Sequence, residues 1–149
     1  MAEPTLGAVA RAALEARRLQ SPQLLIDALP YAGLLGILPL GAGEQLSFHL
    51  PPNQTNVGNP TLPALHGGAV GGFMEMSATL YLLMTMETLK VPRVVDFSID
   101  YVRAGHLIDT YASCEVVRQG RRLVNVQIRA WQQDKSTPIA TARAHFLLD

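Results

Sequence analysis

The order of segments in this sequence predicts an α+β domain, with an antiparallel β-sheet wrapped around one long helix. Three observations carry the prediction. The stretch Leu62 to Met86 places Phe73, Met74, Met76, Leu80, Leu82, Leu83 and Met84 on nearly every helical face, with no proline before Pro92. Such a helix is buried rather than amphipathic. Two strand-like segments precede it, and four alternating segments follow it with turn signals between them. Neither a repeat nor a linker interrupts the chain, so residues 1–149 form one domain with residues 1–30 as an N-terminal helical segment.

Taken in order, the alanine-rich stretch Thr5 to Gln20 is helix-prone, with Val9, Ala12, Ala13, Ala16 and Leu19 as its apolar stripe. Arg11, Glu15, Arg17 and Arg18 are assigned to its solvated face. A second helix is expected from Pro22 to Ala28, stopped before Pro30. Leu34 to Leu40 and Glu44 to Leu50 read as strands joined by the Gly41-Ala42-Gly43 turn. The Pro- and Asn-rich stretch 51–63 reads as a long loop, with Gln54, Asn56 and Asn59 as polar groups in reach of a ligand. After the helix, Val95, Phe97, Ile99 and Tyr101 fall on one face of a strand. Thr110 to Arg118 (Ala112, Cys114 and Val116 on one side), Leu123 to Gln132 (Val124, Val126, Ile128, Ala130) and Ile139 to Leu148 complete the sheet.

Composition narrows the function. Twelve basic and twelve acidic residues cancel, so there is no basic field to recruit nucleic acid or an anionic membrane. Hydrophobic residues make up 48% of the chain and charged ones 16%, which favours a subunit with surface buried in an oligomer. The single Cys114 excludes an internal disulfide and a Cys-rich zinc site. No histidine has partners at metal-ligand spacing, so no metal site is expected. Glu3 and Pro4, with no apolar stretch after them, argue against a secretory signal and for a cytoplasmic location.

Within the long helix, His66 and Glu75 stand out from an apolar run. The glycine spacings 67/71 and 68/72 match those of packed membrane helices, but the uncharged piece Ser77 to Met86 is far below the ~20 residues of a span. A buried carboxylate needs a structural network or a chemical use, and the sequence leaves both open. The glycines favour use. Gly67 and Gly68 fall at the helix start, where free N–H groups and the positive end of the dipole accept an anion or a developing oxyanion. Gly68, Gly71, Gly72, Glu75 and Thr79 recur at helical spacing, a face small at its start and polar further along.

The His66-Gly67-Gly68 triplet, the acid at Glu75 and the following Thr79 resemble the hot-dog-fold acyl-CoA thioesterases. The nearest groups are the phenylacetate-degradation type and the Arthrobacter-type 4-hydroxybenzoyl-CoA thioesterase. The likeness extends in weaker form from about Leu34 to Leu148. It implies that the triplet opens the central helix and that Glu75 is the catalytic carboxylate, as nucleophile or general base. It further implies that His66 and the Gly67 N–H polarise the carbonyl, and that Thr79 holds Glu75 or a water. Family members carry Asn or Gln about six residues before the histidine; here Pro60 holds that position, with Asn59 beside it. Asn59, Gly68, Gly72 and Arg103 are the expected substrate contacts. Arg103, with Arg121 and Arg122, either meets a coenzyme A phosphate or is merely solvated. Coenzyme A enters only as part of the substrate, without a separate cofactor. The resemblance also implies a homodimer or a dimer-of-dimers tetramer. A non-catalytic acyl-CoA-binding domain of the same fold is the alternative.

Overall fold

The computed structural model describes residues 6–148. Three helices lead the chain: α1 (Ala8–Arg18), α2 (Pro22–Ala28) and α3 (Pro30–Leu35). The short strands β1 (Leu38–Leu40) and β2 (Ser47–Leu50) follow, then a two-stranded ribbon of β3 (Val57–Asn59) and β4 (Ala64–Leu65). The central helix α4 (Gly67–Thr85) comes next, and β5 (Arg93–Tyr101), β6 (Thr110–Gln119), β7 (Leu123–Trp131) and β8 (Ala140–Leu147) close the chain. Six strands form one sheet in the order β1-β2-β6-β7-β8-β5, antiparallel throughout. The architecture is the one expected from the segment order.

One face of the sheet wraps α4, and the core lies between them. Val124, Val126, Ile128 and Ala130 of β7 are buried as the alternation predicts, against Phe73, Met74, Leu80, Leu82 and Leu83 of the helix. Apart from Ala130, each such side chain stabilises by roughly 1.5–3 kcal/mol when fully buried. Cys114 lies among these inward positions, and burial pushes its thiol up to about 12, away from nucleophilic use. No helix among the described residues is long and apolar enough to cross a membrane.

Several boundaries differ from the sequence reading, each for a local reason. Helix α2 ends at Ala28, before Pro30, as expected, but Pro30 then opens a further helix within the stretch before β1: it sits at the first position of α3, where its missing N–H costs nothing. Gly36 ends α3 with φ 85°, a left-handed cap that glycine adopts without strain, so β1 begins at Leu38 rather than Leu34. The segment from Gly43 to Gln45 is a 3-10 turn, which shortens β2 to Ser47–Leu50. The long loop carries the β3–β4 ribbon. In β5 the pairing register shifts between Val94 and Asp96, a bulge that turns Val95 outward to 54% exposure while Phe97, Ile99 and Tyr101 keep the inner face. Leu19, assigned to the buried stripe of α1, is 52% exposed beyond the helix end.

Arg17 also departs from expectation. Its Nε donates to the Leu83 carbonyl (2.6 Å) and its Nη2 to the Thr88 carbonyl (3.1 Å), so it caps the last turn of α4 instead of facing solvent. A cation there also complements the negative end of the helix dipole.

Candidate active site

The site is built at the start of α4. His66 is the N-cap, in extended conformation (φ −66°, ψ 132°), and its Nδ1 accepts from the Gly68 N–H at 2.9 Å. That bond needs an unprotonated Nδ1, which leaves Nε2–H of the exposed ring as the outward donor. The Ala69 and Val70 N–H groups both donate to the His66 carbonyl, at 3.0 and 3.1 Å. With Gly68 held by the imidazole, Gly67 has the one N–H of this turn without an acceptor among the described residues. A donor left free at the positive end of a 19-residue helix is placed to receive a developing negative charge.

The preceding ribbon fixes this geometry. The Asn56 carbonyl accepts from the His66 N–H at 2.8 Å, and Asn56, only 5% exposed, anchors itself by donating Nδ2 to the Leu35 carbonyl. Gly58 lies so close that a Cβ there would stand 2.7 Å from the His66 Cα. Only glycine lets β3 approach the cap this closely. On the other side, Tyr101 at the end of β5 donates its hydroxyl to the Gly67 carbonyl at 2.7 Å, with its ring against Gly67 and Gly71.

Glu75 lies two turns further along. It is half-buried, and its carboxyl has no hydrogen-bond or ion-pair partner among the described residues. Burial raises its pKa above the ordinary carboxylate value. The structural network that would explain a buried acid by itself is therefore not what surrounds it. Thr79 shares the face, but its hydroxyl donates to the Glu75 main-chain carbonyl (3.2 Å) one turn back, not to the carboxyl.

Among the other expected contacts, Gly68 and Gly72 lie on this helix face. Arg103 is exposed, donates to the Pro138 carbonyl at 2.7 Å, and lines a recess of about 370 Å³ with Gly67, Val70, Tyr101 and Gly105. Asn59 is not brought in: it is exposed on β3, and its Oδ1 accepts from the Thr61 N–H in a local turn. A larger hollow of about 730 Å³ lies over the sheet's outer surface around Ser98, Gln127, Arg129 and Arg143, away from α4. The candidate site is the open face of α4, which carries the free N–H at its start and the unpartnered acid two turns along. His49 pairs with Asp109 and His145 with Asp96 on the outer sheet surface, and no cluster of three metal-ligating side chains occurs among the described residues.

A family model for the thioesterase superfamily matches residues 62–139, which include the helix, its cap and most of the strands after it. The chain belongs to the thioesterase superfamily. It is a thioester hydrolase with the hot-dog fold. A crystal structure of a Chromobacterium violaceum protein is 43% identical, covering 93% of this chain and 97% of that one with a TM-score of 0.76. The Escherichia coli PaaI protein, from a phenylacetic acid degradation operon, is 14% identical, with coverages of 95% and 96% and a TM-score of 0.72. A Streptococcus mutans protein bound to acetyl-CoA is 16% identical, with coverages of 76% and 89% and a TM-score of 0.67. The last two speak to the fold alone. No curated protein sequence matches the chain.

In this thioesterase three residues around the site have roles that the sequence did not show. Asn56 was expected to reach a ligand, but it is buried, with its side chain committed to the Leu35 carbonyl. Gly58 shows its purpose only through the His66 backbone beside it. Tyr31, on α3, has no periodicity to place it, yet its hydroxyl and ring lie against Gly72. Tyr101 was legible as the last inward residue of β5, though not as a partner of the helix start.

Proposed function

We propose that this thioesterase hydrolyses acyl-CoA thioesters to a free acid and coenzyme A, and that it acts in the cytoplasm. The observation that carries the proposal is the pairing of a free Gly67 N–H with an unpartnered, half-buried Glu75 on one helix. The thioester oxygen receives the Gly67 N–H, with His66 Nε2–H as a second donor. Glu75 attacks the carbonyl carbon to give a mixed anhydride that water then cleaves, or it takes a proton from the attacking water. In both routes the C–S bond breaks, the thiolate of coenzyme A leaves, and water is the only co-reactant. Gly68 keeps the helix surface thin under the acyl group, Gly72 leaves room for the Tyr31 ring at the edge of the site, Thr79 steadies the turn that carries Glu75, and Arg103 meets a phosphate of the coenzyme. Asn59, held in its own turn, takes a part in binding only if the β3–β4 ribbon moves. The acetyl-CoA bound to the fold relative from Streptococcus mutans supports this class of ligand.

We further propose that the site is shared between two copies, in a dimer or a dimer of dimers. Eight residues separate Gly67 from Glu75, about 12 Å along the axis at 1.5 Å per residue. One carbonyl is bridged more easily by Glu75 of one chain and the Gly67 turn of another. The nine-residue β5 is an edge strand with an exposed Val95, a surface that a second β5 covers by pairing.

A free-thiol assay over a panel of acyl-CoAs tests the first proposal: turnover is expected for at least one acyl class. Tight acyl-CoA binding with no thiol release would favour the binding-domain alternative. Mixing inactive Glu75→Gln and His66→Ala subunits tests the second. Each heterodimer should regain one of its two sites if they are shared, and none if each site lies within one chain.

A further inference from the structure

Two tyrosines flank the helix face that holds Glu75. Gly71 and Gly72 lie about 100° apart around the axis, at 3.6 residues per turn, and Glu75 projects between them. On the Gly71 side stands Tyr101, whose hydroxyl is committed to the Gly67 carbonyl. On the Gly72 side stands Tyr31, presented by α3. A Cβ on Gly72 would collide with the Tyr31 hydroxyl and lie 3.2 Å from its Cε1 and Cζ, so the ring occupies the space that this glycine leaves open. Tyr31 is still 45% exposed, and its hydroxyl has no hydrogen-bond partner among the described residues. An aromatic ring over a bare helix backbone, half in solvent and tied to nothing, is not explained by packing alone.

The two flanks differ in what lies beyond them. Past Tyr101 are the β5 edge and the recess with Arg103. Past Tyr31 lies the N-terminal helical layer, which ends the open face. An acyl group laid over Glu75 from the recess by Tyr101 and Arg103 meets Tyr31 on the opposite flank.

We propose that Tyr31 is a specificity-determining residue that sets the upper limit on acyl length. This inference rests on the acyl-CoA thioesterase reading and deepens it. The ring closes the far end of the acyl groove like a stop, and short acyl groups fit in front of it. A longer saturated chain has to displace the ring, which costs binding in the ground state and the transition state alike. Because Gly72 lacks a side chain, the ring rests directly on the helix, and an added methyl at that position would push it outward.

The test is a ladder of straight-chain acyl-CoAs from acetyl to dodecanoyl, assayed by thiol release for wild type, Tyr31→Phe, Tyr31→Ala and Tyr31→Leu. Wild type should show a sharp fall in kcat/KM beyond a short chain. Tyr31→Ala and Tyr31→Leu should move that fall to longer chains, raising the long-to-short ratio of kcat/KM by about tenfold or more, the lower end of what one methylene decides in an apolar pocket. Tyr31→Phe keeps the ring and should keep the ranking of chain lengths. The leucine variant retains apolar cover on α3, so it reports even if the alanine variant folds poorly. An unchanged ladder in both folded variants overturns the inference. So does a shifted ladder in Tyr31→Phe, because the hydroxyl and not the ring would then decide. Wild type without turnover on any rung is a different failure, that of the acyl-CoA thioesterase reading itself.

Discussion

The two halves of α4 share one helix and serve opposite ends. From Gly67 to Gly72 the side chains are small, His66 and Gly68 are exposed, and the first-turn donors are allotted so that one is left over. From Phe73 onward most residues are buried and none is exposed, and the last turn is closed by the Arg17 guanidinium. The N-terminal half gives up apolar contact to keep its backbone accessible. The C-terminal half supplies the contacts that hold the helix in the sheet. Glu75 lies just inside the boundary, close enough to the buried half to be desolvated and close enough to the open half to reach a ligand. On the proposed site, function and stability lie in different halves of a single element, and substitutions in the two halves should separate them experimentally.

The sharpest contrast is expected from Glu75→Gln. Shape is retained and charge is lost, so kcat should fall by about 10²-fold or more, in the range of general acid–base catalysis. A loss smaller than tenfold, under about 1.4 kcal/mol, would remove Glu75 from the chemistry. The same variant should not be less stable. Burial raises the Glu75 pKa above the 4.5 of a solvated glutamate, so the native state holds this proton more tightly than the unfolded state does. The stability this gives is complete below 4.5 and is lost as pH rises through the raised value. At neutral pH the ionised carboxylate therefore costs stability that glutamine does not. The Tm of Glu75→Gln relative to wild type should rise between acidic and neutral pH, and a flat difference would contradict the desolvation. Activity carried by the ionised carboxylate should likewise appear at a pH above the ordinary glutamate range.

Phe73→Ala should do the reverse. It removes a fully buried ring from the closed half and should cost about 3–5 kcal/mol in denaturant unfolding. The folded fraction should keep its kcat, since Phe73 faces the core and not the Glu75 side. A loss of kcat in the folded protein as large as that of Glu75→Gln would mean that the two halves are not separable. The smallest effect is expected from Arg17→Ala, which takes the cap from the far end. Both bonds are only part-buried and water can replace them, so their loss together should cost about 1.5–3 kcal/mol, the range of a single charge-assisted bond, with kcat unchanged. Arg17→Lys should recover only part of it, because the planar fork reaching both the Leu83 and Thr88 carbonyls is absent in lysine. Equal stability of wild type and Arg17→Ala would return Arg17 to the solvated surface where its sequence context put it.

Local pattern by itself determined the architecture and the position of the central helix. The buried character of α4, the alternation of β7 and the His-Gly-Gly triplet before an acid are short-range regularities, and each depends on a period of 3.6 or 2 that neighbouring residues enforce. Boundaries governed by one residue's backbone were half legible. Pro30 marked the end of α2 correctly, but a proline is equally at home at the first position of the next helix, and α3 forms where its residues pack against α2 and α4. What the tertiary structure alone decided are contacts between residues far apart in the chain. The bulge at Val95 is set by pairing with β8. The role of Arg17 depends on carbonyls more than sixty residues away, and the pairing of Tyr31 with Gly72 joins α3 to α4 across forty. Such contacts follow no period. They arise where two surfaces meet, and the side chains that fill the space between them acquire their purpose only there.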